Sequence, residues 1–172
     1  MKINELMNYI STQKMKKQET YVQLLNTATI VKSKEVIGGS EEIMTPYAAT
    51  DFNKALEDYE KAAENLKRAN VALMQANSIT MIAGGYTIQT AIAAIKSMRD
   101  KMMDLQTIVD KKPSKKRKCE GNGTSYFQIV ELNFETAAIQ KEIDTLKEEI
   151  TRLENAIAQA NAMTEVEVEF IV

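Results

Sequence analysis

The chain has 172 residues, of which 44% are hydrophobic and 27% charged, and a formal net charge of −2. That length supports one domain with a real core, and a charge so near zero leaves nucleic acid or anionic lipid only a local patch to bind. Histidine is absent and cysteine occurs once, which removes Ser-His and Cys-His nucleophile activation, the common zinc sites, the Glu-x-x-His pairs of di-iron bundles and any internal disulfide.

Residues 2–26 read as a first helix, with Ile3, Leu6 and Ile10, then Tyr21, Leu24 and Leu25, near helical spacing. Its middle, "STQKMKKQET", is polar and reads as solvated or facing a partner helix. The stretch "ATIVKSKEVIGGS" is β-branched and closes on two glycines, predicting a short strand over about 28–36 and a turn. Pro46 falls in a connecting segment.

A second helix is predicted over about 50–77, capped by Thr50 or Asp51. Phe52, Leu56, Tyr59, Ala63, Leu66, Asn70 and Leu73 recur at steps of four and three, a heptad seam with one polar member. "NSITMIAGG" should break it. A third helix over about 87–111, capped by Thr87, carries Ile88, Ile92, Ile95, Met98, Met102, Leu105 and Val109 on one face.

Residues 111–123 then read as a basic loop, with Lys111, Lys112, Lys115, Lys116, Arg117 and Lys118 ahead of Cys119. "TSYFQIVEL" alternates and predicts a strand over about 124–132, pairing with the first strand in a small antiparallel ribbon. The fourth helix, about 134–162 and capped by Asn133, has the cleanest pattern. Ile139, Ile143, Leu146, Ile150, Leu153, Ile157 and Ala160 follow at 4, 3, 4, 3, 4, 3. The tail "TEVEVEFIV" alternates polar and apolar and reads either as a terminal strand or as a loose end. The expected fold is therefore mainly α, a single domain over 1–172 in which a four-helix, coiled-coil-like bundle carries a β-ribbon at one end.

The pieces "NTATIVKSKEV", "RANVALMQANSIT", "GGYTIQTAIAAIKSMRDKM" and "RLENAIAQANAMTEVE" resemble, over nearly the whole chain, a septicolysin-like family of small bacterial proteins. The resemblance rests on Asn77 with Thr80, Gly85 with Thr87, Arg99 with Asp100, and Ile157, Ala160, Asn161 and Thr164. Thr90 stands where some relatives carry an acidic residue. The resemblance implies an oligomeric helical bundle with a small β-element, and a toxin-like name implies cytolysis.

The candidate sites have plain and sharp readings. "KKRK" at 115–118 is a solvated connection, an anion or nucleic-acid patch, or a nuclear address. Cys119 beside it is either an activated thiol or an ordinary exposed one. Residues 69–95 lack any charge, as an interface or an inserting hairpin would. Each half is shorter than the roughly 20 apolar residues that span a bilayer. Glu57, Glu60 and Glu64 could suggest a metal, but interleaved lysines make them a salt-bridged face. Asn70, Asn77 and Asn161 at seam positions would be buried and set register. The reading is a non-enzymatic, cytoplasmic helical scaffold that self-associates through its second and fourth helices. It calls for no cofactor, metal or small-molecule substrate, with membrane activity or nucleic-acid binding as alternatives. The N-terminus has no apolar signal-like core, which fits the cytoplasmic expectation.

Overall fold

The computed structural model describes residues 1–171 apart from 31–33, 39, 44–50 and 122. The described chain is mainly helical: α1 (Ile3–Thr27), α2 (Phe52–Ile79), α3 (Ile88–Val109) and α4 (Thr136–Met163), with strands β1 (Lys34–Ile37), β2 (Ser40–Ile43), β3 (Ser114–Cys119) and β4 (Ser125–Val130). Contacts cluster into two compact units. One is Met1–Thr80 with Ala160–Val172, and the other is Met81–Gln159.

In the first unit α1 packs on α2. Leu6 and Ile10, early in α1, meet Ala69, Ala72 and Leu73, late in α2. Late in α1, Tyr21 lies 6.0 Å from Tyr59, early in α2, so the two helices run antiparallel. α1 starts where the Glu5 carboxylate accepts the Lys2 backbone N–H at 2.8 Å, an anion also favoured by the helix dipole. α2 starts at Asp51, whose Oδ1 accepts from the Asn53 and Lys54 N–H groups. The other cap considered, Thr50, lies outside the described residues, as does Pro46.

The buried members of α2 are Ala62, Asn65, Ala69 and Ala76. Phe52 and Asn70 are exposed, and Leu56, Tyr59, Ala63, Leu66 and Leu73 are half-buried. The contact stripe is thus turned one residue from the predicted seam. Alanines every seventh position let α1 approach closely, and the larger Leu66 and Leu73 close over the contact from its side. The α1 stripe holds a regular heptad of its own: Ile3, Leu6, Ile10, Gln13 and Thr20 are buried, with Lys17 and Leu24 half-buried. Of its polar middle, Gln13 and Thr20 are buried and Lys17 half-buried while the other residues are exposed, so solvent and a partner helix each take one side of it.

The C-terminal tail completes this unit as an extended segment. The Ile3 N–H donates to the Thr164 carbonyl and the Val166 N–H to the Met1 carbonyl, at 3.1 and 2.7 Å, forming a bridge between Lys2 and Glu165. Val166, Val168 and Phe170 turn inward onto the Leu6 cluster, while Glu165, Glu167 and Glu169 stay exposed. Phe170 lies 4.1 Å from Tyr9, ring centre to ring centre, and burial raises the Tyr9 phenol above its ordinary pKa.

In the second unit Gly84 and Gly85 take φ of +98° and +80°, conformations open to residues without a Cβ. They form the turn across which Ile82 N–H donates to the Tyr86 carbonyl. Thr87 caps α3 as predicted, and Thr90 reciprocates. Thr90 N–H donates to the Thr87 hydroxyl, and the Thr90 hydroxyl accepts the Thr87 N–H at 2.8 Å. Thr90 therefore fills the return half of a capping box, a role an acidic side chain commonly takes. α3 and α4 are joined by ion pairs from Arg99 to Glu154 and from Lys101 to Glu142. α4 opens on the Glu135 carbonyl, which accepts from Ala138 and Ile139, so Asn133 lies upstream of the start and does not cap it.

The predicted pairing of strands changes partners. β1 pairs with β2, and β3 with β4, each as an antiparallel hairpin. A ribbon between residues near 28–36 and near 124–132 would have to close a long loop, whereas each hairpin closes over a short turn at small entropic cost. Residues 28–30 carry no strand, and 31–33 of the same prediction lie outside the described residues.

Candidate interaction surfaces

The α4 seam is the pattern the structure reproduces most closely. Ile143, Ile150 and Leu153 are buried, and Ile139, Leu146, Ile157 and Ala160 are half-buried. On α3, Ile88, Ala91 and Ile95 are buried, and Met98, Met102, Leu105 and Val109 are half-buried. Ile92, read into the same face, is 50% exposed. The α4 stripe thus has its partner side chains within the chain.

The three asparagines separate. Asn70 is exposed and donates from Nδ2 to the Leu66 carbonyl one turn back, at 2.8 Å. Asn77 and Asn161 each have a buried Oδ1 with no hydrogen-bond partner, as does Oε1 of Gln13. Asn65, which sequence reasoning passed over, is the best satisfied. Its Nδ2 donates to the Ile171 carbonyl at 3.0 Å and its Oδ1 accepts the Ile171 N–H at 2.7 Å. A side-chain amide presents the same donor and acceptor as a neighbouring strand, so Asn65 acts as a one-residue clamp on the tail. Arg68 adds a bond to the Glu169 carbonyl.

The basic segment departs most from expectation. Residues 114–119, read as part of a loop, form β3, in register with β4. Lys115 lies opposite Ile129, Lys116 opposite Gln128, Arg117 opposite Phe127, and Lys118 opposite Tyr126. The turn closes when the Glu120 N–H donates to the Thr124 carbonyl and the Gly123 N–H to the Glu120 carbonyl, with Gly123 at φ +85°. The two types of strand residue stand on opposite sides of the ladder, and that explains the local folding. Long cationic side chains lie across β-branched and aromatic ones, as where Lys115 Nζ sits 4.6 Å from the Phe127 ring centre.

Every residue of both strands is exposed. Alternation along β3 places Lys115 and Arg117 on one face and Lys116 and Lys118 on the other. Two of these cations are engaged within the ribbon, Lys115 over Phe127 and Arg117 donating to the Ser125 hydroxyl at 2.9 Å. Lys111 and Lys112 precede the strand and are exposed. The six cations therefore do not converge on one phosphate-sized spot. Cys119 is a free, exposed thiol at the end of β3 opposite Ser125.

Glu64 of the carboxylate row is held by Lys67 at 3.2 Å and Arg68 at 3.3 Å. Those hydrogen bonds, Lys67's first, lower its pKa below the ordinary value of 4.5. Among the described residues no group of three acidic, Cys or His side chains is arranged to hold a metal ion. No described helix is long and apolar enough to cross a membrane.

Residues 45–166, from before α2 into the tail, match the model of a family of unknown function, DUF6847. The chain belongs to that family. The DUF6847 segment takes in α2, α3, the β3–β4 hairpin and α4, while α1 and the end of the tail that Asn65 grips lie outside it. No curated protein and no solved structure matches the chain.

Proposed function

We propose that the protein is a non-enzymatic helical scaffold that assembles with copies of itself in the cytoplasm. The observation that carries this reading is the set of exposed apolar side chains at the end of α2, within the uncharged run 69–95. At the end of α2, Val71, Met74 and Ile79 are 41%, 61% and 75% exposed. In the second unit, the same run exposes Met81 and Ile92. Met74 and Ile79 have no charged residue within a helical turn on either side in the sequence, and large apolar side chains left in water favour a surface that is covered in use. Such a surface offers an ionic partner nothing, and a like surface suits it best. The seams of α2 and α4 then hold each chain together, and assembly falls to the apolar side chains left outside.

Light scattering at micromolar concentration tests this. The parent chain should exceed the monomer mass, and Met74→Glu with Ile79→Lys should lower that mass with unchanged helix content. A parent chain that stays monomeric refutes the reading. The septicolysin-like resemblance supplies a membrane-active alternative, for which leakage of anionic liposomes is the test.

A further inference from the structure

The two edges of the β3–β4 ribbon are unlike. β3 reads Ser-Lys-Lys-Arg-Lys-Cys and β4 reads Ser-Tyr-Phe-Gln-Ile-Val. Lysine-rich edges are a standard defence against strand addition, because a second strand would bury or crowd the charges. β4 has no such defence. Tyr126, Phe127, Ile129 and Val130 are 49%, 59%, 57% and 48% exposed along it, and a two-stranded ribbon by itself is marginal in water.

The open edge is also set up for pairing. Hydrogen-bonded and non-bonded pairs alternate along an antiparallel ladder. Because Glu120 bonds to Thr124, the pairs through Tyr126, Gln128 and Val130 are the bonded ones. The N–H and C=O of Phe127 and Ile129 then point away from β3, and β4 is self-complementary about Gln128. A copy related by a twofold axis through that residue puts Phe127 opposite Ile129 and Tyr126 opposite Val130. These are aromatic-to-β-branched pairs of the kind that stabilise sheets, and the outward groups of Phe127 and Ile129 meet as a bonded pair.

We propose that β4 pairs antiparallel with β4 of a second copy, making a four-stranded sheet ordered β3-β4-β4-β3 with Gln128 on the twofold axis. The occupant is argued from charge. In this arrangement both cationic strands lie outside, three strand spacings or about 14 Å apart, further than the roughly 8–10 Å over which salt solution transmits their repulsion. Pairing through β3 would bring those charges together. An acidic strand from another protein would be drawn to β3, which leaves the uncharged β4 for its own kind. This contact is separate from the helical surface at Met74 and Ile79 and does not depend on it.

Cysteine cross-linking tests the register. Opposed residues of a non-bonded pair have Cα atoms about 4.5 Å apart, within the span of a disulfide. In a Cys119→Ser background, Gln128→Cys should oxidise to a covalent dimer. Tyr126→Cys, displaced from its own copy by four residues or about 13 Å, should not. Ile129→Pro removes an N–H that faces away from β3, so the hairpin keeps its ladder while cross-linking at position 128 slows about tenfold or more. Circular dichroism checks that each variant is folded.

Equal rates at 128 and 126, or a rate at 128 that Ile129→Pro leaves unchanged, overturn the strand pairing. So does a ribbon that stays uncross-linked while retaining a single-stranded oligonucleotide. Repeating the measurement with Met74→Glu and Ile79→Lys separates the two contacts. A cross-link that persists there supports the ribbon contact whatever becomes of the helical one. If the cross-link fails while the parent's larger mass remains, only the ribbon contact is lost.

Discussion

Replacing Asn65 with alanine isolates the contact that fastens the tail to α2. Asn65 is 6% exposed and makes two hydrogen bonds to the backbone of Ile171. Each is worth about 0.5–1.5 kcal/mol net, so the pair contributes about 1–3 kcal/mol. Ile171 is 39% exposed, so its freed N–H and C=O return to water and add no further burial penalty. Loosening the tail also weakens the Tyr9–Phe170 contact, an aromatic pair worth about 0.5–1.5 kcal/mol. The expected cost of Asn65→Ala is about 2 kcal/mol, which for a chain of this size lowers Tm by roughly 4–8 °C. Asn65→Asp should cost more near neutral pH, because it keeps an acceptor for the Ile171 N–H, loses the donor and buries a charge. Urea unfolding gives the magnitude, and amide exchange at Ile171 shows whether the tail has opened. Asn70→Ala is the control, expected within about 0.5 kcal/mol because that side chain is exposed. A cost for Asn65→Ala no greater than for Asn70→Ala, with Ile171 still protected, refutes the clamp.

Gln13→Leu should raise stability by about 1 kcal/mol or more in urea melts, since it removes a buried acceptor that has no partner. On α4, Ile143→Ala should cost about 2–5 kcal/mol, and Leu146→Ala clearly less, because Ile143 is fully buried and Leu146 only half so; equal costs would contradict this packing. Glu64 has a lowered pKa from its bonds to Lys67 and Arg68, so its stabilising contribution is complete above the ordinary carboxylate range and disappears as pH falls through the lowered value. Glu64→Gln should therefore reduce stability at neutral pH and leave it unchanged in acid, with the Glu64 titration followed by NMR.

The helices were legible because their signals are local. The Asp51 and Thr87 caps, the glycines at 84 and 85, and the heptad from Ile139 to Ala160 each depend on residues a turn or two apart. On α4 the residues buried, Ile143, Ile150 and Leu153, are strong apolar side chains at positions of the heptad pattern. On α2 they are not. There the contact uses small alanines and a buried asparagine, and the larger residues that dominate the pattern stand beside it. In the middle of α1 the sequence left solvent and a partner helix both open. Gln13 and Thr20 look like surface residues, and only a facing helix buries them.

The β-elements show the other limit. Residue type marked about 124–132 as a strand, within which β4 forms, but a run of lysines carries no strand signal. β3 exists because the turn at Gly123 lays that run alongside Tyr126, Phe127 and Ile129. The tail's alternation was visible in the sequence, yet its role required Asn65, more than a hundred positions away, to meet Ile171. The sequence alone determined which segments are helical, where α2 and α3 begin and which chemistry is missing, since those depend on short-range hydrogen bonding and residue type. The tertiary structure alone decided which strands pair, which polar groups are buried and which apolar edge stays open, since those depend on what distant parts of the chain bring together.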